Sequence, residues 1–130
     1  MSRQLNQKII ANIVNIKISS RPHAWSPPTD LLETDKEFIV RVELAGLNID
    51  DLTISVENES VTIVGRREIP NKKCAYHRME IPYGDFRAKV DLPSQVDTTG
   101  AAAEYENGFL SIILPKAEPK QVKIKPNKDL

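Results

Sequence analysis

Apolar and polar residues alternate with a period of two along much of the middle of this 130-residue chain. The clearest example is residues 38–44. Its apolar members are Phe38, Val40, Val42 and Leu44, and between them stand Arg41 and Glu43. Because successive side chains of a strand point to opposite faces of a sheet, this pattern predicts a strand with one face buried.

The same alternation recurs in five further segments, and a first strand is expected at residues 30–34. The five segments are residues 52–56, 61–63, 86–92, 101–105 and 110–114. Asn107-Gly108 separates the last two, and this dipeptide is the strongest short-range indication of a two-residue hairpin turn. A helical turn is expected only at residues 48–52, where Asp50 and Asp51 would occupy a favourable first turn. The sequence therefore predicts an all-β fold, an antiparallel β-sandwich.

The connection at residues 69–84 does not fit a plain sandwich, because sixteen residues are too many for a hairpin loop. Pro70 and Pro82 bracket it, so neither end can extend a ladder. Its centre has strand-forming residues: Cys74, Ala75, Tyr76, His77, Arg78 and Met79. We expect a strand that pairs only with another chain and so dimerises the protein by strand exchange. The alternative is a mobile surface loop.

The carboxy-terminal residues 116–130 are expected to form an extended tail. Val122 and Ile124 flank Lys123, and prolines stand on both sides, so the two apolar side chains would share one face. Such a peptide suits addition to a sheet edge with both side chains in a groove. A Val-Lys-Ile occurring by chance is the alternative.

The amino-terminal residues 1–27 are expected to form an arm, partly helical or disordered, outside the domain at residues 28–115. Its apolar stripe has helical spacing and consists of Leu5, Ile9, Ile10, Ile13 and Val14. An isolated helix of this length is marginal, so we interpret the arm as an adaptable apolar surface. Trp25, followed by Ser-Pro-Pro, is expected to fasten it to the domain.

The charges are balanced overall but unevenly distributed. Residues 1–30 carry four basic and one acidic side chain and residues 116–130 five and two, which leaves nine basic against fifteen acidic in between. An acidic centre argues against a nucleic-acid-binding core. No apolar run reaches the length of a membrane span, and no signal peptide is recognisable, so a membrane role is not expected and a cytoplasmic location is.

Catalytic chemistry finds little support in the sequence. His23 and His77 are the only histidines, and Cys74 is the only cysteine, so neither a metal site nor a disulfide is expected. There is no nucleophile elbow and no phosphate-binding glycine-rich loop. We therefore expect no enzyme activity, catalytic residue, metal or cofactor. Redox reactivity of Cys74 and pH sensitivity at His77 are open alternatives.

Several motifs, in the right order over residues 28–125, resemble those of small heat shock proteins, the α-crystallin family. Residues 103–110, AEYENGFL, are similar to its A-x-x-x-N-G-x-L motif. The other similar stretches are LAGL at 44–47, VGRR at 64–67, YHRME at 76–80 with GDF at 84–86, LP at 92–93 and VKI at 122–124. Two departures stand out: Ala45 replaces a usual proline, and Ala88 a usual arginine, for which Arg87 and Lys89 on the opposite face cannot substitute.

The resemblance implies an immunoglobulin-like sandwich and, for the bacterial and plant type, exchange of the strand at residues 74–79. It also implies that tails join dimers into oligomers by entering a groove between two edge strands. The groove residues would be Leu52, Ile54, Val56, Ala101, Ala103 and Tyr105. The implied activity is ATP-independent holding of unfolding client proteins, with the arm as client-binding surface and ATP-driven chaperones as further partners in refolding.

Other readings of the same fold remain open at the level of sequence. A monomeric co-chaperone-type interaction module would lack the exchanged strand and the tail motif, both of which are present here. An extracellular adhesion domain would be expected to have a cysteine pair. The arm residues, alternatively, pack only between dimers and never touch a client.

Overall fold

Residues 23–118 are described by a computed structural model of the chain. They form seven strands and two short 3₁₀ turns. The strands are β1 (Thr29–Glu33), β2 (Glu37–Glu43), β3 (Leu52–Val56), β4 (Ser60–Arg67), β5 (Gly84–Asp91), β6 (Ala102–Glu106) and β7 (Phe109–Pro115), and the turns are Ile49–Asp51 and Thr98–Gly100.

The strands form two antiparallel sheets that pack face to face. The four-stranded sheet has the order β1-β2-β7-β6, and the three-stranded sheet has the order β3-β4-β5. Alternate residues of β2, β4 and β7 are fully buried between them, as the period-two pattern predicts. The predicted all-β sandwich is confirmed.

Two local predictions are also confirmed, whereas the expectation of a single helical turn is wrong, because Thr98–Gly100 forms a second one. Asn107 and Gly108 have φ angles of 52° and 81°, the left-handed conformation that a two-residue turn between β6 and β7 requires. The amide of Leu44 donates to the carbonyl oxygen of Gly108 at 2.7 Å and ties this turn to the domain. Asp50 and Asp51 lie in the first turn of a 3₁₀ helix, and the side chain of Asn48 caps it by accepting from the Asp50 amide at 3.2 Å.

Gly65 allows a close approach between β4 and its surroundings. A Cβ atom at this position would lie 2.4 Å from the Asp51 carbonyl oxygen and 2.4 Å from the Phe86 ring. Both distances are far below van der Waals contact, so the absence of a side chain lets the Phe86 ring fill the core beside β4. The glycine of the VGRR segment therefore has a packing role.

β1 is an edge strand that is less covered than the rest of its sheet. Leu31 pairs with the buried Val40 and so shares its inward face, yet it is 39% exposed. Leu32 on the outward face is 46% exposed. Because only three strands oppose four, β1 has apolar surface available on both faces.

Candidate functional site

The connection between β4 and β5 is an exposed segment without secondary structure. Every residue from 70 to 82 is exposed, and residues 74–79, the predicted exchanged strand, form no ladder within the described part of the chain. Cys74 Sγ and Tyr76 Oη both donate to the Asn71 carbonyl oxygen at 3.4 Å, so a local turn precedes the segment. Strand exchange requires a second chain and stays a prediction.

Three large apolar side chains of this segment face solvent. Tyr76 is 43%, Met79 53% and Ile81 59% exposed. Desolvation by neighbouring atoms, with smaller contributions from Cys74 and Tyr83, raises the pKa of the Tyr76 phenol above its ordinary value. The segment combines apolar side chains with backbone groups that have no ladder partner, as a strand awaiting a partner would.

Arg67, at the end of β4, ties this segment to the domain. Its Nε donates to the Pro82 carbonyl oxygen at 3.0 Å, and its Nη1 donates to the Ala45 carbonyl oxygen at 3.2 Å. The guanidinium carbon also lies 4.5 Å from the centre of the Trp25 ring. Arg67 is buried, and the alternation along β4 places it on the inward face after Val61, Ile63 and Gly65. From sequence, Arg67 was recognised only as part of the VGRR segment, and its hydrogen bonds to the connection were not predicted. The alternation along β4 could have indicated that its side chain points inward.

Trp25 fastens the start of the domain to the edge of β5, as predicted. The Trp25 amide donates to the Asp85 carbonyl oxygen at 3.0 Å, and the Trp25 carbonyl oxygen accepts from the Arg87 amide at 2.9 Å. The indole Nε1 donates to the Gly84 carbonyl oxygen at 3.3 Å, and the ring lies 5.5 Å from that of Phe86. The folded body therefore begins before residue 28. The predicted client-binding residues Leu5, Ile9, Ile10, Ile13 and Val14 lie outside the described residues.

The six predicted groove residues lie on or beside β3 and β6, the edge strands of the two sheets. Ile54, Val56 and Ala103 are buried in the common core, whereas Leu52, Ala101 and Tyr105 are half-buried and pack against it. The Tyr105 hydroxyl donates to the Leu44 carbonyl oxygen at 2.6 Å and accepts from the Leu47 amide at 3.4 Å. The exposed rim of the predicted groove therefore consists of Leu52, Ala101 and Tyr105.

The chain leaves the domain at a defined place. The Ala117 amide donates to the Gln95 carbonyl oxygen at 3.0 Å, and Lys116 Nζ lies 2.8 Å from a carboxylate oxygen of Glu33. The predicted tail residues Val122 and Ile124 lie outside the described residues.

The described residues contain no arrangement typical of a metal centre. Among residues 23–118, no group of three or more His, Cys, Asp or Glu side chains could hold a metal ion. Cys74 is exposed and unbridged.

Arg66 forms an ion pair with Glu68 at 2.7 Å and another with Asp85 at 3.4 Å. These contacts, that with Glu68 first, raise the pKa of its guanidinium. No helix in this part of the chain is long and apolar enough to cross a membrane.

Known proteins with similar sequences show to which family this chain belongs. The pattern of the Hsp20/alpha crystallin family matches residues 30–128. The chain belongs to the Hsp20/alpha crystallin family. Small heat shock protein C2 of Rickettsia felis is 38% identical over 94 residues, which are 71% of this chain and 61% of that protein. The 17.7 kDa class II heat shock protein of Arabidopsis thaliana is 31% identical over 74% of this chain and 64% of its own length.

Solved structures of small heat shock proteins share the fold. Heat shock protein 16.0 from Schizosaccharomyces pombe superposes with a TM-score of 0.68 at 27% identity, over 82% of this chain and 80% of that one. A small heat shock protein from Xylella fastidiosa, described as having a distinct high order structure, gives a TM-score of 0.64 at 26% identity over 78% of this chain and 97% of that one.

Membership of the small heat shock protein family supports a chaperone role. The matched region spans about three fifths of the length of the first curated relatives, 61% in two of them. The resemblance identified from the motifs is confirmed. So is the orientation of Ala88, which is buried in the core while Arg87 lies on the opposite face of β5.

Proposed function

We propose that this small heat shock protein is a holdase that binds partly unfolded proteins without ATP and works as dimers assembled into larger oligomers. One observation carries the proposal. Among residues 23–118, the large apolar side chains that are exposed lie on two segments only: Leu31 and Leu32 on β1, and Tyr76, Met79 and Ile81 on the connection between β4 and β5. Concentrated apolar exposure of this kind is typical of an interaction surface.

The two segments are complementary. β1 pairs with β2 on one side only and so offers free backbone donors and acceptors along its other edge. The connection offers strand-forming residues that form no ladder with any other part of residues 23–118. Sixteen residues span up to about 50 Å when extended, enough to reach a neighbouring subunit. We therefore infer that residues 74–79 of one chain add to β1 of another.

The tail supplies the second contact. β3 and β6 are edge strands with a half-buried apolar rim. Val122 and Ile124 would present two apolar side chains on one face if the tail is extended, as its sequence predicts. Burial of each side chain contributes about 1.5–3 kcal/mol before the tail is ordered, so one contact is weak. Many such contacts in a closed particle are strong together, because each tail then binds at high effective concentration.

The client-binding surface in this proposal is the arm. Leu5, Ile9, Ile10, Ile13 and Val14 form an apolar stripe, and exposed apolar surface captures partly unfolded chains before they aggregate. The bound clients are then transferred to ATP-driven chaperones for refolding, because a holdase itself supplies no energy.

Multi-angle light scattering tests the assembly. The whole chain should form particles of many subunits, and Val122→Ala with Ile124→Ala should reduce them to dimers. Lys123→Ala, between the two apolar residues, is the matched control and should leave the particles intact. Tyr76→Asp with Met79→Asp should disrupt the dimer. A whole chain that stays monomeric at every concentration would overturn the proposal in favour of a monomeric interaction module.

An aggregation assay without ATP tests the activity. The whole chain should suppress the light scattering of a heat-denatured client at near-stoichiometric ratios, and replacing Ile9 and Ile13 by serine should weaken suppression several-fold. Suppression that is unchanged in this variant would contradict the client role of the arm.

A further inference from the structure

The outward face of the four-stranded sheet carries a continuous apolar row across all of its strands. The register pairs Leu32 with Ile39, Ile39 with Ile113, and Ile113 with Ala102. Ile39, Ala102 and Ile113 alternate with the buried residues of their strands and so point away from the core. Leu32 shares that outward side because it is the cross-strand partner of Ile39. Leu32 and Ala102 are exposed, and Ile39 and Ile113 are half-buried. We call this the outer row.

The outer row is surrounded by acidic side chains. Besides Phe109, Ser111 and Pro115, the other outward positions of the four strands hold six charged residues, which are Asp30, Glu37, Arg41, Glu43, Glu104 and Glu106. Five of these six are acidic. The one basic side chain, Arg41, lies with its guanidinium carbon 4.3 Å from the centre of the Phe109 ring. A partner for this face must therefore offer apolar side chains together with positive charge.

We propose that the amino-terminal arm of this protein, residues 1–22, docks on the outer row. The arm carries Arg3, Lys8, Lys17 and Arg21 and no acidic residue. Its charge is therefore opposite to that of the face, and it holds the apolar stripe that such a face requires. The tail at residues 119–130 has four lysines as well as Asp129, so its charge also suits the face, but it offers only two β-branched apolar residues, one on each side of Lys123, for a row of four.

The dimensions agree with this pairing. Four strands about 4.8 Å apart make the outer row about 14 Å long. A helix from Leu5 to Val14, with a rise of about 1.5 Å per residue, is also about 14 Å long. An apolar stripe of this length would cover the row from β1 to β6, and the basic side chains of the arm would then lie near its acidic surroundings. The arm can come from the same chain or from a neighbour, since the chemistry is the same.

Docking has a consequence that rests on the proposed function. If the arm binds clients, its apolar side chains are covered while it lies on the outer row and become available when it leaves. The acidic residues around the outer row then control how much of the arm is free to bind clients, because the electrostatic attraction between arm and sheet weakens as ionic strength rises.

Site-specific photo-crosslinking in the whole chain tests the inference. A benzophenone amino acid replaces Ala102, the exposed end of the row, and in the control replaces Lys89 on the outward face of the three-stranded sheet. Mass spectrometry should find peptides from residues 1–22 attached at position 102 at least five-fold more often than at position 89. Attachment mainly of residues 119–130, or of the same sheet face from a second copy, would overturn the proposal.

Charge reversal provides the second measurement. Glu43→Lys with Glu106→Lys, both exposed, should lower the crosslink yield about five-fold at low salt, and Lys8→Glu with Lys17→Glu in the same chain should restore it. Glu59→Lys with Asp91→Lys is the control, because it changes the net charge equally but lies away from this face. It should leave the crosslink yield unchanged. A yield that does not respond to the first pair would overturn the proposal. Neither measurement uses a client, so failure of the holdase function would appear separately in the aggregation assay.

Discussion

The guanidinium of Arg67 holds the carbonyl oxygen of Pro82, fifteen residues further along the chain, through a 3.0 Å hydrogen bond from its Nε. One buried side chain therefore fixes the return of the exposed connection to the position where the connection begins. The same guanidinium lies over the Trp25 ring, which holds the start of the domain. The apolar residues of the connection thus project from a base with fixed geometry, a condition that favours pairing with a second chain because less order is lost on binding.

We expect Arg67→Ala to destabilise the domain by about 2–4 kcal/mol, because it leaves the carbonyl oxygens of Pro82 and Ala45 without their charged donors. Arg67→Lys should recover less than half of this loss, since an ammonium cannot reproduce the planar fork. Urea unfolding measures both. Cleavage by trypsin after Lys72 or Lys73 should also become faster than in the wild type.

The neighbouring Arg66 provides the control for this prediction. Its ion pairs with Glu68 and Asp85 are exposed, and exposed pairs contribute about 0–1 kcal/mol. Arg66→Ala should therefore leave stability and cleavage nearly unchanged. An Arg67→Ala variant that behaves like it would show that the buried hydrogen bonds do not hold the connection.

Gly65→Ala should be among the most damaging single-methyl substitutions in the chain. The added Cβ would need the space of the Asp51 carbonyl oxygen and the Phe86 ring, both 2.4 Å away, and overpacking a core costs about 1–3 kcal/mol. Gly46→Ala is the comparison, because nothing lies within 4 Å of its Cβ and only its φ of 71° opposes the change. That conformational cost is about 1 kcal/mol. A smaller loss at Gly65 than at Gly46, measured by urea unfolding, would contradict the packing role.

The strands and the sandwich fold could be predicted from sequence, whereas the strand order and the polar ties could not. Alternation along residues 38–44 and the Asn107-Gly108 turn are local signals, and the structure follows both. The hydrogen bond from Arg67 to Pro82 depends on where a loop returns, which no local pattern determines. The groove shows an intermediate case. Alternation predicted a buried face for β3 and β6, and Ile54, Val56 and Ala103 lie in the core accordingly. Their assignment to a groove came instead from the family resemblance, which did not indicate that only Leu52, Ala101 and Tyr105 would stay half-buried.

Tyr105→Phe should cost about 1–2 kcal/mol, because it removes the only hydroxyl that joins β6 to the segment before β3. The Leu44 carbonyl oxygen and the Leu47 amide each lose a partner, at 2.6 Å and 3.4 Å. The ring itself stays, so the apolar rim of the predicted groove is unchanged. We expect thermal unfolding at a temperature lower by several degrees, with the particle mass by light scattering unaltered. A change of mass with no change of stability would contradict this interpretation and would indicate that the hydroxyl binds the tail.

Asp97 should contribute a pH-dependent part of the stability. Its carboxylate caps the turn Thr98–Gly100 by accepting from the Thr99 hydroxyl at 2.7 Å and from the Thr99 amide at 3.0 Å. These bonds, that of the hydroxyl first, lower the pKa of Asp97 below its ordinary value of 3.8. Because folding favours the ionised form, this stabilisation is complete above the unfolded-state pKa and disappears as the pH falls through the lower folded-state pKa.

Asp97→Asn isolates that contribution, because asparagine retains an oxygen acceptor for the cap but does not titrate. The difference in unfolding free energy between wild type and variant should be constant above about pH 5 and should shrink below about pH 4. Urea unfolding at a series of pH values measures it, and an NMR titration of the Asp97 side chain gives the folded-state pKa independently. A difference that stays constant down to pH 2, or a measured pKa at or above 3.8, would show that the Thr99 hydrogen bonds do not favour the ionised carboxylate.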